Sequence, residues 1–334
     1  MTSSAASDPA RLPTIDDVRA AAERIKGKAV PTPLLESPAL NARLGGRLLV
    51  KAEALQRTGS FKFRGAYNTL VQFDARQRKG GVVTYSSGNH AQGIAAAAQM
   101  LGIPATIVMP ADAPQIKIAN TRGYGAEVVL YDRYKESREE VGAKIARERN
   151  ATIVAPYDEP QVIAGQGTCG LEIAAQAKAA GASLDAAITC CGGGGLTAGI
   201  ALAISAECPG VPVYTAEPEG FDDTRRSLAA GERVSNDPAA RSICDALLAP
   251  TPGALTFEIN RRLLKGGFAV SDAEVRRAMA TAFNDLKLVV EPGGAAALAS
   301  VLSGKFPIAG KTVAVTASGG NVDRETYIAA LNQG

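Results

Sequence analysis

Short, compact apolar runs recur along the chain, and a helical stretch follows each of them. Because a parallel strand is buried on both faces, its sequence is apolar throughout rather than alternating. The pattern therefore predicts an α/β fold, with a mostly parallel sheet and helices on both of its faces. The predicted strands are one alternating run, Arg47–Glu53, and the compact apolar runs Val82–Tyr85, Ala105–Met109, Glu127–Tyr131, Thr152–Ala155, Ala187–Cys190, Val211–Ala216 and Thr312–Thr316.

The chain of 334 residues is long enough for about two domains. Residues 82–156 contain about four strand–helix units and are predicted to form a small domain, with 1–81 and 157–334 forming a large one. One continuous sheet is the alternative. In either arrangement a ligand is expected in a crevice at the carboxyl ends of the strands.

Charge, hydropathy and cysteine content exclude several classes of protein. The net charge of +3 argues against nucleic-acid binding driven by bulk charge. No apolar stretch approaches the roughly 18 residues that span a bilayer, and no secretory signal is visible. The five cysteines form no CxxC pair, which indicates reduced thiols in a cytoplasmic protein.

The first motif that could carry chemistry is Thr58–Gly65, in which Lys62 lies between two aromatic residues. Taken alone, Lys62 fits a solvated surface lysine. In an apolar setting its amine would instead have a lowered pKa, and a neutral amine can form a Schiff base with a carbonyl.

The second motif, Ser86–Gly93 (SSGNHAQG), directly follows a predicted strand. Free N–H groups at the start of the next helix can bind an anion such as a carboxylate, and Asn89 offers both a donor and an acceptor. A plain Ser/Asn helix cap is the simpler alternative. His90, the one histidine, fits a hydrogen-bonded structural residue better than a catalyst.

The third motif is a run of four glycines, Gly192–Gly195, between a strand and an Ala-rich helix. Its backbone N–H groups can wrap a phosphate, although a flexible turn has the same composition. Gly193, Gly195 and Ala198 also fit a dinucleotide fingerprint, with Glu217 near the position of a ribose-binding acid. An NAD-dependent dehydrogenase is therefore an alternative on this segment alone.

Together the three motifs describe a cofactor with a carbonyl, a ring substituent and a phosphate, as pyridoxal phosphate has. The sequence resembles the serine/threonine dehydratase and serine racemase family of fold-type II pyridoxal-phosphate enzymes. The resemblance covers nearly the whole chain, and the motifs occur in the family's order. They are SFKFRGA, SSGNHAQG, AGQGT (Ala164–Thr168), GGGGL (ending at Leu196) and SGGNVD (Ser318–Asp323).

The resemblance implies the tryptophan synthase β type of fold, with two open, twisted, mostly parallel sheets. It makes Lys62 the lysine that holds the cofactor and the base that removes the α-proton. The remaining implied cofactor contacts are Phe61 and Asn89 at the ring, Gly192, Gly193, Gly194, Gly195 and Leu196 at the phosphate, Ser318 at the pyridine nitrogen, and Glu291 near the ring.

The resemblance also implies a substrate-binding segment, a metal site and a homodimer. Ser86, Ser87, Gly88, Asn89 and His90 would bind the substrate carboxylate, with Ser87 matching the residue that reprotonates the opposite face in racemases. The implied ligands of Mg²⁺, or of Ca²⁺ or Mn²⁺, are Glu217, Asp223 and the carbonyl of Phe221. Two carboxylates and a carbonyl suit such ions, although an acidic surface turn is the alternative.

The expected reaction is β-elimination from a β-hydroxy amino acid such as L-serine or L-threonine, giving a 2-keto acid and ammonia. Arg138 matches an arginine of racemase-like members and could pair with the second carboxylate of 3-hydroxyaspartate. A solvated position on a charge-rich helix is the simpler interpretation of Arg138. Tyr157 departs from the asparagine of mammalian-type racemases, which favours elimination over racemisation.

Overall fold

The computed structural model describes residues 11–86, 88–113, 115–132 and 134–333. Within them the strands form two separate sheets, and all but one strand pair is parallel. The strands are β1 (Leu34–Glu36), β2 (Arg47–Ala52), β3 (Val82–Tyr85), β4 (Ala105–Pro110), β5 (Glu127–Tyr131), β6 (Thr152–Ile153), β7 (Ala186–Cys190), β8 (Val213–Pro218), β9 (Leu264–Val270) and β10 (Thr312–Ala317).

The six-stranded sheet has the order β1-β2-β10-β7-β8-β9, and the four-stranded sheet has the order β5-β4-β3-β6. Among these strands, β1 alone is antiparallel to its neighbour. The four-stranded sheet is built wholly from residues 82–153, so two sheets replace the alternative of one continuous sheet. The boundaries of the small domain at residues 82 and 156 stay a prediction.

Fourteen α-helices are described, and they cover the faces of the two sheets. They are α1 (Ile15–Ile25), α2 (Pro38–Leu44), α3 (Lys62–Val71), α4 (Ala75–Gly80), α5 (Asn89–Leu101), α6 (Gln115–Gly123), α7 (Arg138–Arg149), α8 (Pro160–Ala179), α9 (Gly195–Glu207), α10 (Asp223–Ala230), α11 (Ala254–Leu263), α12 (Asp272–Leu286), α13 (Pro292–Leu302) and α14 (Arg324–Gln333).

Helix α8 packs closely against both α3 and α9, and glycines allow these contacts. A Cβ added at Gly165 would lie 2.5 Å from the Gly65 Cα, and one added at Gly199 would lie 2.5 Å from the Gly167 nitrogen. Only glycine permits such an approach of one backbone to another. Because each contact lies within about one helical turn of Lys62 or the tetraglycine run, α8 sets how these two segments lie relative to each other.

A buried network of four charged side chains fixes the start of α3. Arg64 donates to both oxygens of Glu53, at 2.8 and 2.7 Å, and Arg64 and Glu53 are fully buried. Glu172 on α8 accepts from both Arg64 and Lys51 at 2.6 Å. Two cations therefore meet two anions, and this balance allows the charges to be buried.

The described residues contain five free cysteines, of which Cys169, Cys190, Cys191 and Cys244 are buried and Cys208 is partly exposed. None of the helices among the described residues is long and apolar enough to cross a bilayer.

Candidate active site

Lys62 is the first residue of α3 and lies on the wall of a cavity between the two sheets. Its amine donates a hydrogen bond of 2.7 Å to the carbonyl of Pro156 and lies 5.2 Å from the centre of the Phe61 ring. Burial lowers the pKa of the Lys62 amine to about 8, against the opposing charge of Glu291. The amine is therefore poised to lose its proton near neutral pH, as a nucleophile or base requires.

The segment after β3 supplies Ser86, Gly88, Asn89 and His90 to the same cavity wall. Ser87 lies outside the described residues. Helix α5 begins at Asn89, so the N–H groups at its start have no partner within the helix, and Asn89 and His90 of its first turn line the cavity. At Gly93, α5 comes so near α3 that an added Cβ would lie 3.1 Å from the backbone of Lys62.

His90 is buried beneath this segment. Its Nε2 lies 3.3 Å from the Val154 carbonyl, which can only accept, so Nε2 carries the proton. Burial, and then the charge of Lys62, lower the pKa of His90 to about 3. A neutral, hydrogen-bonded imidazole agrees with the structural interpretation of His90.

The tetraglycine loop also lines the cavity and leads into α9. A Cβ on Gly193 would lie 2.3 Å from the Tyr157 ring, and Gly194 has a φ of 96° that favours glycine. The Gly193 carbonyl oxygen accepts a hydrogen bond of 2.7 Å from Thr256 Oγ1 on α11. The loop is thus held in one shape with the N-terminal end of α9 directed at the cavity, an arrangement that binds phosphate.

Three further residues that the resemblance places at the cofactor also line the cavity: Leu196, Ser318 and Glu291. Glu291 is nearly fully buried and accepts a 2.6 Å hydrogen bond from Asn89. Burial, and then the negative charge of Asp245, raise the pKa of Glu291 to about 8. Glu291 is therefore a weaker acid than an ordinary carboxyl group, and it lies in contact with the Asn89 amide.

Arg138 also lies on the cavity wall, at the start of α7. Its guanidinium carbon is 5.4 Å from the centre of the Tyr85 ring, and its Nε donates to Glu139 at 2.8 Å. Among the described residues its two Nη groups have no hydrogen-bond partner. The Arg138 side chain is 42% exposed, so both the solvated-helix interpretation and the substrate-binding one stay predictions.

Lys117 on α6 and Asp245 form an ion pair that joins the two sides of the cavity. Sequence reasoning missed both residues, together with Tyr85, because nothing in their local sequence marks them. They come from distant parts of the chain and meet only in the folded protein.

Glu217 and Asp223 do not line this cavity in the part of the chain that the structure describes. Glu217, at the end of β8, is fully buried and accepts from the backbone N–H groups of Thr224 and Arg225, at 2.9 and 2.8 Å. The Oδ2 atom of Asp223 is buried without a hydrogen-bond partner. No cluster of three or more His, Cys, Asp or Glu side chains suited to a metal occurs among the described residues.

Comparison with known proteins agrees with this geometry. The chain is 46% identical over 321 residues to an L-threo-3-hydroxyaspartate ammonia-lyase of Pseudomonas sp, covering 96% of this chain and 99% of that protein. It is 43% identical to a serine racemase of Schizosaccharomyces pombe, covering 98% of this chain and all of the racemase. The crystal structure of a T.th. threonine deaminase superposes with a TM-score of 0.88 at 44% identity, covering 93% of this chain and 99% of that one.

The family model described as "Pyridoxal-phosphate dependent enzyme" matches residues 25–319, which span all the sequence motifs except the last residues of SGGNVD. The resemblance drawn from those motifs is confirmed, as is the prediction of an α/β fold with two mostly parallel sheets. The chain belongs to the family of pyridoxal-phosphate dependent enzymes.

Proposed function

We propose that this chain is a pyridoxal-phosphate dependent ammonia-lyase that removes water from a β-hydroxy amino acid and yields a 2-keto acid and ammonia. The observation that carries the proposal is the placement of the Lys62 amine in one cavity with the tetraglycine loop, Asn89 and Ser318. The hydroxy amino acid lyases among its relatives support the same reaction.

The cavity residues fit the cofactor. Gly192–Gly195 and the start of α9 form an anion site that a side chain at Gly193 or Gly194 would disturb. Asn89 and Ser318 would contact the ring, and Lys62 would attach to the carbonyl. When bound, pyridoxal phosphate supplies an aldehyde that captures the amino group and a conjugated ring that stabilises charge at the α-carbon. The family membership favours this interpretation of the loop over the dinucleotide one.

In the proposed reaction, Lys62 Nζ removes the α-proton of the substrate. Its lowered pKa suits this task because a base works best when its pKa is near the working pH. The start of α5 and Ser86 would hold the substrate carboxylate, and His90 would support that segment from below. Ser87 would protonate the opposite face in any racemase side reaction.

Ser318 supports elimination rather than transamination. A neutral hydroxyl facing the pyridine nitrogen, unlike a carboxylate, does not favour a protonated ring, so charge at the α-carbon is less widely delocalised. Loss of the β-hydroxyl needs less of that delocalisation. We expect Ser318→Asp to change the ratio of keto acid to side products, and an unchanged ratio would contradict this role.

A second carboxylate on the substrate is favoured by Arg138. Arg138 lines the cavity that holds Lys62, and a guanidinium fork matches a carboxylate. The preferred substrate would then be 3-hydroxyaspartate rather than serine or threonine. Arg138→Met should lower kcat/KM for 3-hydroxyaspartate by about 10- to 100-fold, the value of a charged hydrogen bond, and leave that for L-serine nearly unchanged. Equal losses on both substrates would refute this choice.

The reaction class is tested with purified protein and L-serine, D-serine, L-threonine and the 3-hydroxyaspartate diastereomers, with keto acid and enantiomer assayed. The wild-type protein should be yellow and bleached by borohydride. Lys62→Ala should lose both turnover and the borohydride-reducible linkage, with Lys79→Ala on the surface helix α4 as the matched control. An active Lys62→Ala protein would refute the scheme.

We also propose that Glu217, Asp223 and the Phe221 carbonyl hold Mg²⁺, Ca²⁺ or Mn²⁺. The unpartnered Oδ2 of Asp223 is the observation that fits a cation there, because an acceptor buried without a donor is costly. The ion would be structural or activating, since these residues lie apart from the cavity wall. The family resemblance supports a homodimer, and the five free cysteines support a cytoplasmic location.

A further inference from the structure

Asn321, in the SGGNVD segment after β10, makes a chain of side-chain hydrogen bonds that enters the cavity. Its Nδ2 donates to Asn89 Oδ1 at 2.8 Å, and Asn89 Nδ2 donates to Glu291 Oε1 at 2.6 Å. Asn89 and Glu291 are nearly fully buried. The three residues come from three different parts of the chain and meet only here.

The orientation of these amides follows from the chemistry of their partners. Asn321 Nδ2 also lies 2.7 Å from the carbonyl oxygen of Thr58, which can only accept a hydrogen bond. The atom that Asn321 turns toward Asn89 is therefore a donor. Asn89 must therefore accept this hydrogen bond with its Oδ1 atom, and its NH₂ group faces Glu291 and the cavity.

Asn89 Nδ2 carries two N–H groups, and Glu291 takes one of them. The other remains for a ligand on the cavity side. If the Asn89 amide turned over, its oxygen would face the carboxyl of Glu291, and the donor toward the ligand would be lost. The hydrogen bond from Asn321 opposes this rotation.

The surrounding backbone is shaped to admit these side chains. Gly59 has a φ of 72°, and a Cβ added there would lie 2.5 Å from Asn321 Oδ1. A Cβ added at Gly319 would lie 2.2 Å from Glu291 Oε1 and 3.2 Å from Asn89 Nδ2. Gly59 thus leaves space for Asn321 at one end of this series of hydrogen bonds, and Gly319 leaves space for Glu291 at the other end.

We propose that Asn321 is a positioning residue that fixes the Asn89 amide with its NH₂ group toward the cavity. This NH₂ group would then donate a hydrogen bond to the oxygen substituent on the pyridine ring of the cofactor. This inference rests on the proposed function, which assigns the cavity to pyridoxal phosphate. Asn321 acts through Asn89 and is not among the described residues that line the cavity.

The test is a double-mutant cycle on the affinity for pyridoxal phosphate, measured by titrating the full-length apoprotein and following cofactor absorbance. Loss of one oriented donor should weaken binding by roughly tenfold in Asn321→Ala and by at least as much in Asn89→Ala. Because Asn321 acts through Asn89, the double variant should bind within about twofold of Asn89→Ala. The absorption maximum of the bound cofactor should shift in the same direction in both single variants.

Two results would overturn the role of Asn321. One is a folded Asn321→Ala protein with wild-type affinity and an unshifted spectrum, and the other is losses that multiply in the double variant. Far-ultraviolet circular dichroism of the apoproteins checks folding. If Asn321→Ala does not fold, Asn321→Asp replaces it, because an acceptor facing Asn89 Oδ1 should weaken cofactor binding at least as strongly. A wild-type protein that binds no pyridoxal phosphate would instead refute the proposed function itself.

Discussion

Replacing Glu53 by glutamine should destabilise the fold strongly, because it leaves an excess positive charge in the buried network. Arg64 and Glu53 are fully buried, so solvent cannot screen the loss. Breaking a buried pair costs about 3–5 kcal/mol. Since Glu172 still accepts from Arg64 and the new amide keeps one acceptor, we expect the lower end, about 3 kcal/mol.

The pH dependence has a definite sign. Burial raises the pKa of Glu53, but the charge and hydrogen bonds of Arg64, the charge of Lys51 and the hydrogen bond from Thr32 together outweigh burial and hold that pKa below its ordinary value of 4.5. The ionised group therefore contributes stability above about pH 4.5, and this contribution is lost as the pH falls through the folded-state pKa. The free energy of unfolding of Glu53→Gln should depend less on pH in this acidic range than that of the wild type.

Urea denaturation at neutral pH measures the loss, with both proteins saturated with cofactor. Glu36→Gln is the matched control, since Glu36 pairs with Arg47 at 2.9 Å on the partly exposed surface and should cost less than about 1 kcal/mol. A loss below about 1 kcal/mol in Glu53→Gln would refute the importance of charge balance in this network.

Three further predictions concern the cavity and the metal site. Gly193→Ala should weaken pyridoxal phosphate binding by about tenfold or more while the apoprotein stays folded, because its Cβ would lie 2.3 Å from the Tyr157 ring; unchanged affinity in a titration would contradict this. The rate of cofactor uptake by the apoprotein should increase as the pH rises, with a midpoint near pH 8. Burial lowers the pKa of Lys62 to about 8, and the neutral amine is the form that reacts. A rate that does not change with pH in stopped-flow absorbance would count against a single reactive amine. Millimolar Mg²⁺ should raise the Tm of the wild type but not of Glu217→Gln, and equal shifts in thermal unfolding would argue against a cation at this carboxylate.

The sequence predicts much of the fold because its strands and helix starts are local signals. The apolar runs at Val82–Tyr85 and Glu127–Tyr131 are strands with those bounds. Thr14 with Asp17, and Ser271 with Glu274, have the sequence spacing of a capping box, and these residues begin α1 and α12. Strand β9 was missed because Gly266 and Gly267 dilute its apolar pattern. Strand β1 was missed because it has only three residues.

In the candidate site, too, some residues can be predicted from the local sequence and others cannot. Lys62, Asn89 and the tetraglycine loop lie in dense local motifs that the sequence displays. The pair of Lys117 with Asp245, and the contact of Arg138 with Tyr85, depend on how distant segments meet, which spacing cannot show. The AGQGT motif was recognised only as part of a resemblance, and the structure supplies its physical reason in the glycine contacts of α8.

The single partly exposed thiol has a practical use. Because Cys169, Cys190, Cys191 and Cys244 are buried and Cys208 is partly exposed, a maleimide dye on the native protein should attach first at Cys208. Cys208 ends α9, a helix of 13 residues, so the dye would sit about 20 Å from the glycine loop at the other end. That separation suits energy transfer from the dye to a bound chromophore, and would let occupancy of the site be followed without any assay of turnover.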